Sequence, residues 1–181
     1  THGVLTIKSI RSTILAVEEI WQYSNDKVVS FSAIAGAATG TAVSHASSSL
    51  TSTSTIVLRV SDDADNNTSE SVLVTIDTLD PTSTVSIDSI SDDTGSSATD
   101  FITSDNGGLT ITATLTAALA VDEILEYSND NGASFSDITG SATGTAVSHG
   151  DSSLTSTSTI VLRVSDEAGN SSSVDHLFVT D

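Results

Sequence analysis

The chain repeats itself, and the repeat decides most of what it can fold into. Residues 51–62 read TSTSTIVLRVSD, and residues 155–166 read TSTSTIVLRVSD again. The same offset of 104 residues aligns Gly40–His45 with Gly144–His149, Tyr23–Asp26 with Tyr127–Asp130, and Phe31 with Phe135. Register holds without a gap from Leu5 and Leu109 through Asp77 and Asp181. Identity over 12 residues in a register this long marks a tandem duplication. A period of 104 residues is too long for one turn of a solenoid and suits a self-contained β-sandwich.

Alternation supports the sandwich. Leu109, Ile111, Ala113 and Leu115 share one face of a strand whose other face is threonine. Further strands are expected at Thr84–Ile90, Glu123–Ser128, Ser134–Ile138, Thr145–Ser148, Thr159–Val164 and Val174–Thr180. Seven short strands with polar turns between them predict an immunoglobulin-like Greek-key sandwich. Aromatic residues make up only 4%, so the cores must be built mainly from Val, Ile, Leu and Ala. Trp21 aligns with Leu125, and a position that accepts either residue is expected in the core or on a half-buried strand face. Asn131-Gly132 is a strong hairpin signal, and the first copy has Lys27-Val28 there, so its turn is expected to differ.

The single Pro81 lies in Asp77-Thr-Leu-Asp-Pro81, between the end of one copy and the first strand of the next. The expected domains are therefore 1–79 and 80–181, joined by a short linker. Thr1 aligns with Asp105, so the first copy lacks the counterpart of Pro81–Ser104 and with it the N-terminal strand. Either this is a fragment boundary, or a strand donated by another chain fills the gap. Left open, the gap would expose a sheet edge.

Charge narrows the partners. Five Lys and Arg against 24 Asp and Glu give a formal charge of −19 at pH 7. Such a chain repels nucleic acid and anionic membrane surfaces. No apolar run approaches the ~18 residues of a membrane span, and no signal-peptide pattern opens the chain, as expected of a segment from inside a longer polypeptide. The acids concentrate in the expected loops. Asp92, Asp93, Asp100 and Asp105 lie in the first long loop, with Asp130 and the chain end Asp181 expected at the same pole. Asp122, Glu123, Asp166, Glu167 and Asn170 gather at the opposite pole, which Asp77 and Asp80 approach from the linker. Clustered carboxylates repel unless a cation lies between them, and Ca²⁺ takes six to eight oxygens from such loops. Neither an EF-hand nor a nonapeptide calcium motif is present, so any single aspartate could equally close an Asx-turn.

Three segments carry a family likeness. Asp93-Thr-Gly-Ser-Ser-Ala-Thr-Asp100-Phe-Ile-Thr-Ser-Asp105 resembles the aspartate-rich loop of bacterial immunoglobulin-like repeats in giant RTX-type biofilm adhesins. Val164-Ser-Asp-Glu-Ala-Gly-Asn170 resembles a hairpin of the same repeats, and Asp77-Thr-Leu-Asp-Pro81 is similar to their linker. The first copy departs from the hairpin pattern, with Asp65 in place of the glycine. The resemblance implies a secreted, cell-surface spacer that neighbouring repeats extend and Ca²⁺ stiffens. It implies Asp77, Asp80, Asp93, Asp100, Asp105, Asp166 and Asn170 as ligands.

Two other readings stay open: a fibre or surface-layer subunit assembled by strand exchange, and a carbohydrate-binding module, for which the aromatics are few. Catalysis is not expected. His45 and His149 stand beside Ser and Asp, yet no Gly-x-Ser-x-Gly elbow or His-Glu-x-x-His helix occurs.

Overall fold

The computed structural model describes residues 5–27, 29–34, 38–39, 41–47 and 50–181. It is all-β: among the described residues there is no α-helix, only one 3-10 turn at Thr139–Ser141. The chain divides into two compact units, Thr1–Asp77 and Thr78–Asp181.

Unit 1 contains β1 (Leu5–Ile10), β2 (Ile20–Ser24), β3 (Ser32–Ala33), β4 (Ala38–Thr39), β5 (Ala42–Ser47), β6 (Ser54–Ser61) and β7 (Asn67–Val74). They form two antiparallel sheets, β1-β5-β4 and β3-β2-β6-β7. Between the sheets lies a core of Trp21, Tyr23, Ile34, Val43, Leu50, Ile56 and Val60.

Unit 2 contains β8 (Val85–Ile90), β9 (Ile102–Thr103), β10 (Leu109–Leu115), β11 (Glu123–Ser128), β12 (Ser136–Asp137), β13 (Ala142–Thr143), β14 (Ala146–Asp151), β15 (Ser158–Asp166) and β16 (Ser171–Thr180). Its sheets are β13-β14-β10-β8 and β12-β11-β15-β16-β9. The chain crosses between the two sheets from β10 to β11 and from β14 to β15, as in a β-sandwich. All pairs are antiparallel except the last, in which β9 runs parallel to β16 with Val179 opposite Ile102.

Alternation along β10 turns Leu109, Ile111, Ala113 and Leu115 inward, as the sequence predicts. β15 sits inside its sheet and buries Ile160, Leu162 and Val164 completely. Leu125 is also fully buried, and Trp21 is 6% exposed, so both copies place this position in the core. Several strands depart from expectation: β14 runs on to Asp151 and β15 to Asp166, and three others differ more. β12 keeps only Ser136–Asp137, because Thr139 N donates to Asp137 Oδ1 at 2.8 Å and starts the 3-10 turn. β16 begins three residues early, at Ser171, where it pairs with Ser165. The short strand β9 has no alternation by which sequence could reveal it.

Candidate functional site: the aspartate-rich loops

The segment between β8 and β10 is the most acidic loop of unit 2, and its backbone is forced. Asp92 and Phe101 both have positive φ, 54° and 61°. That conformation is uncommon for any side chain and costly for a bulky one. Phe101 accepts it because its ring is buried and stacks on His176, with centroids 3.8 Å apart. Hydroxyl groups stitch the loop together: Thr103 Oγ1 donates to Asp92 O at 2.5 Å, and Thr94 Oγ1 accepts from Ser104 N at 2.9 Å.

Within this frame the three predicted aspartates do different things. Asp100 Oδ1 accepts from Ile102 N at 3.2 Å and Asp105 Oδ1 from Gly107 N at 2.7 Å, both as Asx-turns. Asp93 Oδ2 accepts from Phe101 N at 3.2 Å, but its Oδ1 is buried with no hydrogen-bond partner among the described residues. The chain end is seated here too, since Asp181 N donates to Thr103 O at 3.1 Å.

Asp166 and Asn170 form a clasp across the β15–β16 turn. Asp166 Oδ1 accepts from Asn170 N and Oδ2 from Asn170 Nδ2, both at 2.9 Å. Asn170's side-chain donor, more than any other group, holds the Asp166 carboxyl below its ordinary range. Unit 1 reproduces the clasp with Asp62 and Asn66 at the same distances. The substitution of Asp65 for glycine leaves the turn intact: Asp65 takes φ 63°, where Gly169 has 88°. Short Asx side chains tolerate that region better than others. Lys27 likewise shares the positive φ of Asn131, while Val28 lies outside the described residues.

Asp77 closes unit 1 and Asp80 stands in the opening segment of unit 2, both exposed. Among the described residues no three His, Asp or Glu side chains converge on a point where they could hold a metal. The fit to a cation therefore rests on one atom. A carboxylate oxygen shut from water without a donor is unfavourable, and a cation beside it would remove the penalty. Asp93 Oδ1 meets that description; Asp100, Asp105 and Asp166 are engaged in turns, which their lone pairs permit alongside a metal.

Glu123 is the acid whose role sequence reading misses. It is 5% exposed, and its Oε1 accepts from Thr82 N, Thr82 Oγ1 and Ser83 N at 2.6, 2.9 and 3.2 Å. Oε2 accepts from Ala120 N at 3.0 Å. Burial pushes the carboxyl up, but these donors outweigh it and hold the pKa at about 2. Glu123 thus anchors the chain entering unit 2 just after the buried Pro81. A signal was available: Glu123 is in phase with the inward-facing Leu125 and Tyr127.

The histidines are built into the strands. His45 and His149 tilt against Tyr23 and Tyr127, with centroids 4.5 and 4.7 Å apart. They occupy β5 and β14, which are interior to their sheets. Each unit also carries an arginine stacked on a phenylalanine, Arg59 on Phe31 and Arg163 on Phe135. No helix among the described residues is long and apolar enough to cross a membrane. Comparison with known protein families and with curated proteins gives no match for this chain.

Proposed function

We propose that the chain is a pair of non-catalytic spacer repeats of a secreted bacterial surface protein, stiffened by Ca²⁺. The reading is supported by the duplication itself: two units built on one pattern spend their polar groups on holding turns. The observation that carries the metal is Asp93 Oδ1, a buried carboxylate oxygen with no partner among the described residues. Asp93 would hold the cation in the β8–β10 loop, and the ion's role there is electrostatic and structural, removing the cost of the buried charge. Asp77, Asp80, Asp100, Asp105, Asp166 and Asn170 remain ligand candidates by family likeness alone.

The test is a pair of thermal melts with small-angle scattering, in millimolar Ca²⁺ and in excess chelator, on the wild type and Asp93→Asn. Calcium is expected to raise the melting temperature of the wild type and to do so less in the variant. Stiffening would also lengthen the scattering profile. Identical melts and profiles in both buffers would dispose of the calcium reading and leave the acids as a solvated surface.

A further inference from the structure

Both units carry a cleft that a spacer has no need of. In unit 2 a space of about 370 Å³ opens where the β11–β12 hairpin meets the end of β14. Unit 1 has one of about 330 Å³ in the same place. All eight residues that line it have counterparts, at the 104-residue offset, lining the cleft of unit 2. Tyr127, Asn129, Ser136 and His149 match Tyr23, Asn25, Ser32 and His45, and Asp151 stands where unit 1 has Ser47. Volumes of this size lie at the small end of those that hold organic ligands.

In unit 2 one carboxylate fixes the lining. Asp151 Oδ2 accepts from Tyr127 Oη at 2.9 Å and from Asn129 Nδ2 at 2.8 Å. Its Oδ1 accepts from Ser153 N at 2.7 Å and from Ser153 Oγ at 2.6 Å. His149 leans on the Tyr127 ring, and burial pushes its imidazole below the ordinary range against the pull of the Asp151 charge. That ring is therefore neutral at pH 7. In unit 1 the tyrosine is tied down as well, with Tyr23 Oη donating to Ser47 Oγ at 3.1 Å. Three lining groups of unit 2 keep unused capacity: Ser136 Oγ, Asn129 Oδ1 and His149 Nε2 make no hydrogen bond among the described residues.

These groups select among ligands. Among the described residues no Lys or Arg lines either cleft, and the chain carries a formal charge of −19, so an anion is turned away. A metal ion would need more than Asp151, whose lone pairs are taken by four donors and whose place in unit 1 holds only a hydroxyl. An apolar ligand would strip water from hydroxyl and amide groups and give nothing back. A neutral ligand rich in hydroxyls meets all three conditions, because each of its hydroxyls both donates and accepts. We propose that the cleft of unit 2, and its copy in unit 1, each bind one residue of a neutral glycan, held by hydrogen bonds to the serine, asparagine and histidine. Recognition of this kind does not call for the exposed aromatic platform that a chain with 4% aromatic residues lacks. Unit 2 is the tighter site, since a charged acceptor holds Tyr127 where a hydroxyl holds Tyr23.

The experiment titrates the full isotope-labelled chain, in excess chelator, with glucose, galactose, mannose, fucose and N-acetylglucosamine as separate probes and glucuronate as the anionic control. At least one neutral sugar is expected to shift the amides of residues 127–136 and 149–153 saturably, with a Kd of about 1–10 mM. Tyr23, Ser32 and His45 should respond to the same sugar at higher concentration. Glucuronate should bind at least about tenfold more weakly, as like charge requires. Ser136→Ala removes a hydroxyl that holds nothing in the fold, and should weaken binding at unit 2 by about three- to tenfold while unit 1 is unchanged. Several results would overturn the inference. They are no saturable response to any neutral sugar at about 100 mM, glucuronate binding as well as the best neutral sugar, and unchanged affinity in Ser136→Ala. No metal takes part in this binding, so the glycan site and the calcium site stand or fall separately.

Discussion

Glu123→Gln is the substitution that tests the reading of unit 2 most directly. The carboxylate collects four donors: three on Oε1, from Thr82 and Ser83, and one on Oε2, from Ala120. An amide keeps one oxygen, so at least one backbone N–H meets an NH₂ group and goes unpaired. An unpaired buried donor costs about 1–3 kcal/mol, and each remaining bond loses the extra strength that charge gives it, about 1 kcal/mol. Some relaxation follows, and a net loss of about 2–4 kcal/mol is expected. A second route gives a similar size. The carboxyl is held at about 2 against an ordinary 4.5, which corresponds to about 3 kcal/mol at neutral pH. For a unit of this length the loss becomes roughly 10–20 °C in the calorimetric transition of unit 2. The sign of the pH dependence is fixed as well. A depressed carboxyl stabilises above its unfolded pKa, and that stability drains away as pH falls from about 4.5 to about 2. The wild type should therefore exceed the variant at pH 7 and converge on it near pH 2.5. A shift under about 3 °C at pH 7, or a gap that does not narrow with acid, would refute the argument. Glu19→Gln, at the same repeat position but half-exposed and with fewer donors, should move its own unit much less.

Gly108 has φ 90°, and an added Cβ would stand 2.6 Å from Ser152 Cα; Gly108→Ala should lower stability by about 2–4 kcal/mol, read from the urea midpoint. Glu126 accepts from Arg163 Nε at 2.8 Å, and in unit 1 the neutral Gln22 accepts from Arg59 Nε at the same distance. Glu126→Gln should consequently cost under about 1 kcal/mol, while Arg163→Met also loses the Phe135 stack and should cost about 1–2 kcal/mol by denaturant melts. Tyr127 Oη donates to Asp151 Oδ2 at 2.9 Å, and burial followed by that bond pushes the phenol up. Tyr127→Phe should cost about 1–2 kcal/mol and raise the Asp151 carboxyl pKa, as carbonyl-detected titration would show.

The fold was legible wherever burial follows alternation. β10 and β15 could be read residue by residue, because each turns apolar side chains toward one core and the duplication supplies every pattern twice. What escaped was set by backbone geometry. β9 exists because Phe101 adopts a left-handed conformation that redirects the chain alongside β16, and no residue type at 101 announces that. β12 is cut short by an Asx-turn at Asp137 that reads like any other polar loop. At the candidate site, position was readable and role was not. Asp93, Asp100 and Asp105 do share one loop, but composition could not tell a turn-closing aspartate from one with a buried unpartnered oxygen. Glu123 was grouped with Asp122 as a loop acid, although phase with Leu125 set it apart as buried.

The parallel pair of β9 and β16 has a mechanical consequence for unit 2. β9 lies near the start of that unit and β16 ends it, and they run side by side through Val179 N to Phe101 O at 3.0 Å and Asp181 N to Thr103 O at 3.1 Å. Tension applied between the ends of the unit pulls these strands past one another, loading both bonds together in shear instead of opening them one at a time. Pulled from its two ends, unit 2 should therefore hold to a higher force than a sheet whose terminal strand peels away one bond at a time.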